Sequence, residues 1–281
     1  TRVADMVQVR KQVFVDATGG VDLEQWLEHL PLQLASEDRE RVISAYRIAR
    51  QAMHVPAQDT GCWAREADCF NAALDIGMIL AELHVDPECL IAGILYRAVR
   101  ESRITLEDVE RAFGADEAGL ISGVLRMAAI GDIGSQSEAP VLGQAHGQKD
   151  NIRKMLIAMV DDVRVALIKL AERTCAIRAV KDDELRRQPV AQEVFEVYAP
   201  LAHRLGIGHL KWELEDLSFR YIYADAYRKI ARLLDGKRLE RDQFIARVSE
   251  ELDRVLGDAG LQVEISGRAK HIYSLWRKMQ R

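Results

Sequence analysis

Between Asn151 and Arg178 the chain runs NIRKMLIAMVDDVRVALIKLAERTCAIR, with neither glycine nor proline. Apolar side chains at Ile152, Met155, Leu156, Met159, Val163, Ala166, Leu167, Leu170 and Ala171 recur every three or four residues. That spacing lays one broad stripe along a helix. The alanines, leucines and long charged residues around the stripe also favour helix intrinsically. A continuous helix of this length would be about 40 Å long at 1.5 Å per residue, enough to cross a domain. The stretch therefore predicts a central core helix, against which the other elements must pack.

The flanking sequence reads as further helices. Thr1–Gly20 predicts a poorly structured, flexible lead-in with Met6 as a candidate start, upstream of a short helix in Val21–Leu30 capped by Asp22. Ser36 opens a second helix, Glu37–Met53, and Ala67–Leu83 is a third, with a Pro- and Gly-bearing loop, Val55–Cys62, between them. Asp86–Pro87 suits the start of a fourth, and Thr105-Leu-Glu-Asp has the form of a capping box for a fifth that ends near Gly114. Ala115–Ile130 is helical, whereas Gly131–Lys149 predicts a long loop, functional or disordered. After the central helix come a charged connector, Asp182–Arg187, and a helix over Val190–Leu205 that Pro200 should kink or break. Leu210–Tyr221, Ala226–Leu234 and Arg241–Ala259 follow as helices. At Gly260 the period changes from helical to alternating: Leu261, Val263 and Ile265 predict a strand, and His271–Arg281 a last helix.

Several function classes are disfavoured. The 281 residues, 48% hydrophobic and 30% charged, describe a globular chain of one large or two modest domains. No apolar run approaches the roughly 20 residues that span a bilayer, and Thr1–Arg10 lacks a signal-peptide core, so no membrane partner and a cytoplasmic location are expected. A net charge of −5 argues against broad nonspecific nucleic-acid binding. The four cysteines, at 62, 69, 89 and 175, form no CxxC pair and read as reduced thiols; Cys62 and Cys69 with His54 match no familiar zinc spacing.

The chemically informative segment is EISGRAKHIYSLWRKMQR at the C-terminus. On a helix, Ile272, Leu275, Trp276 and Met279 make an apolar face, while Lys270, Ser274 and Lys278 fall at i, i+4 and i+8 on another. Cations and a hydroxyl at a helix start suit polyphosphate, because helix N-terminal N–H groups and ammonium groups both favour anions. Arg268, in the turn before, has a guanidinium that can stack on a base or pair with phosphate. A solvated basic helix flank accounts for the same spacing.

GRAKHIYSLWRKM resembles the opening of the synthetase domain of the long RelA/SpoT homologues, the GTP diphosphokinases of the bacterial stringent response. The resemblance extends over Tyr198–Tyr221 (YAPLAHRLGIGHLKWELEDLSFRY) and Met155–Arg178, and so over nearly the whole chain; it is strongest to RelA-type, pseudomonad-like enzymes. It implies a mainly α fold: an all-helical HD-domain-like bundle, linker helices, and the first strand–helix of an α/β nucleotidyltransferase-like synthetase. The implied domains are residues 21–200 and 201–281. The family's activity is transfer of pyrophosphate from ATP to the 3′ hydroxyl of GTP or GDP with Mg²⁺, and for the full-length proteins the ribosome and uncharged tRNA are implied partners. The motif implies nucleotide-binding roles here for Arg268, which would stack on adenine, and for Lys270, Ser274 and Lys278. The family's metal-binding Asp, catalytic Glu and GTP-stacking Tyr would fall beyond Arg281, so this stretch alone is expected not to catalyse the transfer.

Long family members also carry an HD-type hydrolase that removes the 3′-pyrophosphate with a manganese ion, which needs clustered His and Asp ligands and an open water position. Matched to that pattern, the first ligand His falls on Ala72, the His-Asp pair on Tyr96–Arg97, the following Glu-Asp on Arg100–Glu101, and the last ligand Asp on Glu172, with Cys175 and Ala176 replacing the His-Asn after it. One carboxylate cannot retain Mn²⁺ against water, and Arg97 would bring a cation near the old metal position. The resemblance thus implies a pseudo-hydrolase that binds no metal and has a structural or regulatory role. Two competing readings stand beside it: a working Mn-dependent (p)ppGpp hydrolase, and a nucleotide-binding regulatory module with Arg97 and Arg100 on the phosphates. Arg97, Arg100 and Glu101 could also form a plain solvated helix face.

Overall fold

The computed structural model describes residues 23–52, 69–135, 162–235, 238–265, 267 and 270–280. The lead-in, residues 53–68 with His54 and Cys62, and residues 136–161 lie outside the described residues, and so do Arg268 and the first part of the expected central helix.

Local rules set the helix starts. Helices α1 (Leu23–Glu28) and α2 (Ser36–Ala52) bury Trp26, Leu27, Val42, Ala45, Tyr46 and Ala49 on the faces their spacing marks out. Helix α3 (Cys69–Glu82) is followed by α4 (Pro87–Arg100), whose N-cap Asp86 accepts the Cys89 N–H at 2.7 Å with Pro87 in the first turn. Thr105 and Asp108 form the reciprocal capping box of α5 (Leu106–Ala112). Helix α6 (Ala115–Ser135) carries on through Gly131 and Gly134, the first part of the stretch expected to be a loop. Isolated glycines lower helix propensity by about 1 kcal/mol each without forbidding the helix.

The expected central helix does not pass through Asp162. Asp162 is extended (φ −131°, ψ 122°), accepts the Arg164 N–H at 2.8 Å, and caps a new helix, α7 (Val163–Ala179). An Asp side chain that bonds the backbone two residues on offers the chain an alternative to continuing the preceding turn. The charged connector is likewise shorter than expected: after a 3₁₀ turn at Val180–Asp182, Asp183 caps α8 (Glu184–Glu193). A π-helical turn, Val194–Tyr198, then leads into α9 (Ala199–Arg204), with Pro200 in its first turn. The wider turn accommodates a proline that cannot donate to the carbonyl four residues back. Gly206, at φ +77°, ends α9 in a Schellman motif, with Ile207 N–H on the Ala202 carbonyl at 2.9 Å. Helices α10 (Gly208–Ile222), α11 (Ala224–Asp235), α12 (Arg238–Asp258) and α13 (Ile272–Met279) complete the order.

Helix α4 is buried on every side from Cys89 through Val99, and α7 from Ile168 through Ile177. α4 packs against α2, α3, α6 and α7, and α3 and α6 also reach α7. The spine of the bundle is therefore shared between α4 and α7. One apolar cluster runs from Trp26 to Leu217, and a second gathers Phe219, Tyr227, Ile230, Ala231 and Ile272 under α11 and α13. The all-helical bundle agrees with the expected fold, but the strand does not form. Leu261–Ile265 is irregular, with Leu261 54% and Val263 45% exposed, and no strand occurs among the described residues. A strand needs a neighbouring ladder for its backbone groups, and none of the described segments supplies one.

Candidate functional site

The packing of α3, α4 and α7 buries the positions matched to hydrolase ligands. Ala72, Tyr96, Arg97, Glu101, Glu172, Cys175 and Ala176 are all buried, so Arg97 and Glu101 are not a solvated face. They fall into two separate networks. In the first, Arg97 Nη2 donates to Glu101 Oε1 and Arg103 Nε to Glu101 Oε2, each at 2.7 Å, while Arg103 Nη1 reaches the Ala52 carbonyl of α2. Arg103 can fold back because Ser102, at φ +54°, closes α4 with Arg103 N–H on the Ala98 carbonyl.

The second network surrounds Glu172, which is 0% exposed. Arg173 grips both its oxygens, Nη2 to Oε1 at 2.7 Å and Nε to Oε2 at 2.8 Å, and Lys169 Nζ lies 2.9 Å from Oε2. Arg173 extends the chain to Glu193 at 2.8 Å, and Arg100 donates to the Tyr96 hydroxyl at 3.0 Å. Burial pushes the Glu172 carboxyl up, but the charges of Arg173 and Lys169 and the Arg173 hydrogen bonds overcome it and hold the group well below the usual carboxylate range. Burial also lowers the Lys169 ammonium to about 8, against the pull of Glu172. Tyr96 is raised to about 12 by burial and the nearby Glu172 charge.

These residues do not fit a divalent metal. Both oxygens of the only carboxylate at the matched ligand positions on α7 are taken, and an incoming ion would meet Lys169, Arg173 and Arg100. At an effective dielectric near 20, each unit charge repels another by about 4 kcal/mol at 4 Å. Among the described residues no group of three or more His, Cys, Asp and Glu is placed to hold a metal ion. The side chains seated on Glu172 are Lys169 and Arg173, while Arg97 bonds Glu101. A search for ligands passes over both cations. Their signal was two charges, three before and one after Glu172, inside a helix that must be buried on all sides.

At the other end of the chain, Lys270 and Lys278 come together: the neighbouring Lys278 ammonium holds Lys270 below its ordinary value. Ser274 lies between them, half-buried on α13. At the helix N-terminus, where the spacing suggested an anion site, the Tyr273 N–H is already taken. Asp216 of α10, 2% exposed, accepts the Tyr273 N–H at 2.9 Å and lies 3.1 Å from His271 Nδ1. A carboxylate already occupies the anion position of α13.

An HD domain model matches residues 45–208. The GTP pyrophosphokinase of Haemophilus influenzae is 39% identical over 261 residues, 92% of this chain and 34% of that protein. The chain belongs to the RelA/SpoT family. The GTP pyrophosphokinase of Escherichia coli K12 is 44% identical over 205 residues, 72% of this chain and 27% of its own. The bifunctional (p)ppGpp synthase/hydrolase SpoT of the same organism is 36% identical over 249 residues, 88% of this chain and 33% of its own. The chain thus spans about a third of the length of these RelA/SpoT relatives.

Proposed function

We propose that this chain is the N-terminal part of a RelA-type GTP diphosphokinase whose HD domain, residues 21–200, has lost hydrolysis and serves a structural and regulatory role. The observation that carries this reading is the Glu172 carboxylate with both oxygens occupied by Lys169 and Arg173. Hydrolysis of a 3′-pyrophosphate would need a metal-activated water, and the ligand positions hold Ala72, Tyr96, Arg97 and this sequestered glutamate. In the full-length enzyme, pyrophosphate passes from ATP to the 3′ hydroxyl of GTP or GDP and AMP leaves. Residues 201–281 are the linker and the start of the synthetase, where Lys270 and Lys278 would hold ATP phosphates, Ser274 would donate a hydrogen bond, and Arg268 would stack on adenine. Mg²⁺ would offset the phosphate charge when bound. A cytoplasmic site of action, with the ribosome and uncharged tRNA as partners of the full-length protein, belongs to the same reading; no helix among the described residues is long and apolar enough to cross a membrane. The alternative of a nucleotide module in the HD pocket gains nothing from Arg97, which is committed to Glu101.

The deciding measurement is metal content by mass spectrometry with a ppGpp hydrolysis assay in Mn²⁺. Substoichiometric metal and no turnover are expected. Stoichiometric manganese with release of pyrophosphate would overturn the assignment.

A further inference from the structure

We infer that Asp216 is a positioning residue for the nucleotide-contacting helix, setting the register of α13 through the Tyr273 N–H and the His271 ring. The inference rests on the nucleotide reading of Lys270, Ser274 and Lys278 given above. An eight-residue helix is marginal on its own and takes its order from what it docks on. Most of the dock is aromatic. Trp276 lies 4.9 Å from Phe219 and 5.5 Å from Tyr223 between ring centroids, and Tyr273 meets Phe195 edge-on at 5.3 Å. Such contacts favour burial while tolerating slippage and rotation, because dispersion and area burial are non-directional.

The directional contacts are those to Asp216. His271, the N-cap residue of α13, makes no cap bond with its own side chain, and the cap comes instead from α10. The two Asp216 oxygens divide between the Tyr273 N–H and His271 Nδ1, and the His271 ring stacks on Trp212, one turn earlier on α10, at 5.5 Å and 18°. Ile272, between them, is buried in the second cluster. Three consecutive residues are therefore held at once, and Lys270 is the next residue before them. A buried carboxylate needs such partners, so a shifted α13 would leave Asp216 both desolvated and unsatisfied. The frame is itself anchored: Arg178 at the end of α7 holds Glu213 of α10 through two hydrogen bonds, 2.6 and 2.8 Å, three residues before Asp216. The placement of Lys270 beside Lys278 is thus referred, through α10, to the end of α7 in the bundle.

Steady-state kinetics of the full-length enzyme test this, with ATP and GTP varied separately. Asp216→Ala is expected to raise the ATP KM about fivefold to tenfold, the fold-change of losing a helix cap, while the GTP KM stays within about twofold. Asp216→Asn keeps an oxygen for the Tyr273 N–H and should return the ATP KM to within about threefold of the parent. Lys278→Ala serves as the control for the underlying reading. If it leaves the ATP KM unchanged, the nucleotide assignment of α13 fails. If it raises the ATP KM and Asp216→Ala does not, or if Asp216→Ala shifts both KM values alike without rescue by asparagine, the positioning role alone is overturned. Thermal melts monitor folding. Should the alanine variant lose its cooperative melt, His271→Ala carries the test, since Tyr273 keeps its bond to Asp216: an ATP KM raised at least about threefold upholds the inference and a smaller change overturns it.

Discussion

The Glu172 network shows how a buried charge cluster behaves once its members are considered singly. Lys169, Glu172 and Arg173 are 2%, 0% and 7% exposed, so each charge has lost most of its hydration. Buried ion pairs repay desolvation only when complete, and removing one partner typically costs about 3–5 kcal/mol. The members are not equivalent. Without Glu172 two cations face each other and only Glu193 offers a counter-charge to Arg173; without Lys169 the Arg173 fork still holds both Glu172 oxygens. Glu172→Gln should therefore destabilise by about 3–5 kcal/mol, and Lys169→Met, which keeps the stem length and removes a desolvated ammonium, by less than about 1.5 kcal/mol. Urea unfolding of the two variants checks the ranking, and equal losses would contradict it. The residue pattern matched no His and no Asp to the expected metal-ligand positions. It did not show what had taken their place, because a cation beside a carboxylate on a helix reads equally as a surface pair until the helix is known to be enclosed.

Helices α3 and α4 meet closely at Gly93. A Cβ at Gly93 would lie 2.3 Å from Leu80 Cδ1 and 3.3 Å from Ile76 Cγ2. Leu80 is itself 0% exposed, so its methyl has nowhere to retreat. Gly93→Ala raises helix propensity, yet overpacking should dominate and destabilise by about 1–3 kcal/mol. Combining it with Leu80→Val, which gives up the reach of the intruding methyl, should cost less than the sum of the single changes by at least about 0.5 kcal/mol. A double-mutant cycle in urea measures the coupling; strict additivity would mean that the helices do not meet there. The N-caps at Asp86 and Thr105 were legible because a cap is a local arrangement of a few consecutive residues. The break at Asp162 is also local, and its signal, two adjacent aspartates within an apolar stripe, was outweighed by the regular spacing on either side.

Across the whole molecule, paired carboxylates tie stability to pH. Arg41 bonds Glu88, Arg164 bonds Asp162, and Arg173 with Lys169 holds Glu172, and all three carboxyls lie below their ordinary values in the fold. A carboxylate with a depressed folded pKa contributes stability that is complete above its unfolded value, near 4, and is lost as pH falls through the folded value. Glu117 is opposite in sign: burial raises it, so its contribution improves as it protonates. Asp108, bonded to the Thr105 backbone and hydroxyl, is lowered as well, so four carboxyls stand against one among the described residues, and the fully buried Glu172 is among the four. Unfolding midpoints should stay level from about pH 8 to 6 and fall below about pH 5. In Glu172→Gln the acid fall should be shallower, because the most strongly shifted group is gone. An equal slope in the variant would remove Glu172 from the account.

Sequence alone determined the helical class, most helix starts and the apolar faces, since each of these is written in residues near one another along the chain. Tertiary structure decided the rest. Enclosure of α7 turned Lys169 and Arg173 into the partners of Glu172. Leu261–Ile265 is irregular despite its alternating pattern, and none of the described segments offers it a ladder. Asp216, far back on α10, supplied the cap that α13 lacks in its own sequence. In each case the outcome depends on desolvation or on a hydrogen-bond partner remote along the chain. The Asn151–Arg178 stripe shows the division within one stretch: its period specified a helix from Val163 onward, while only the surrounding helices made the end of that helix a place where a carboxylate is bound by the protein's own cations.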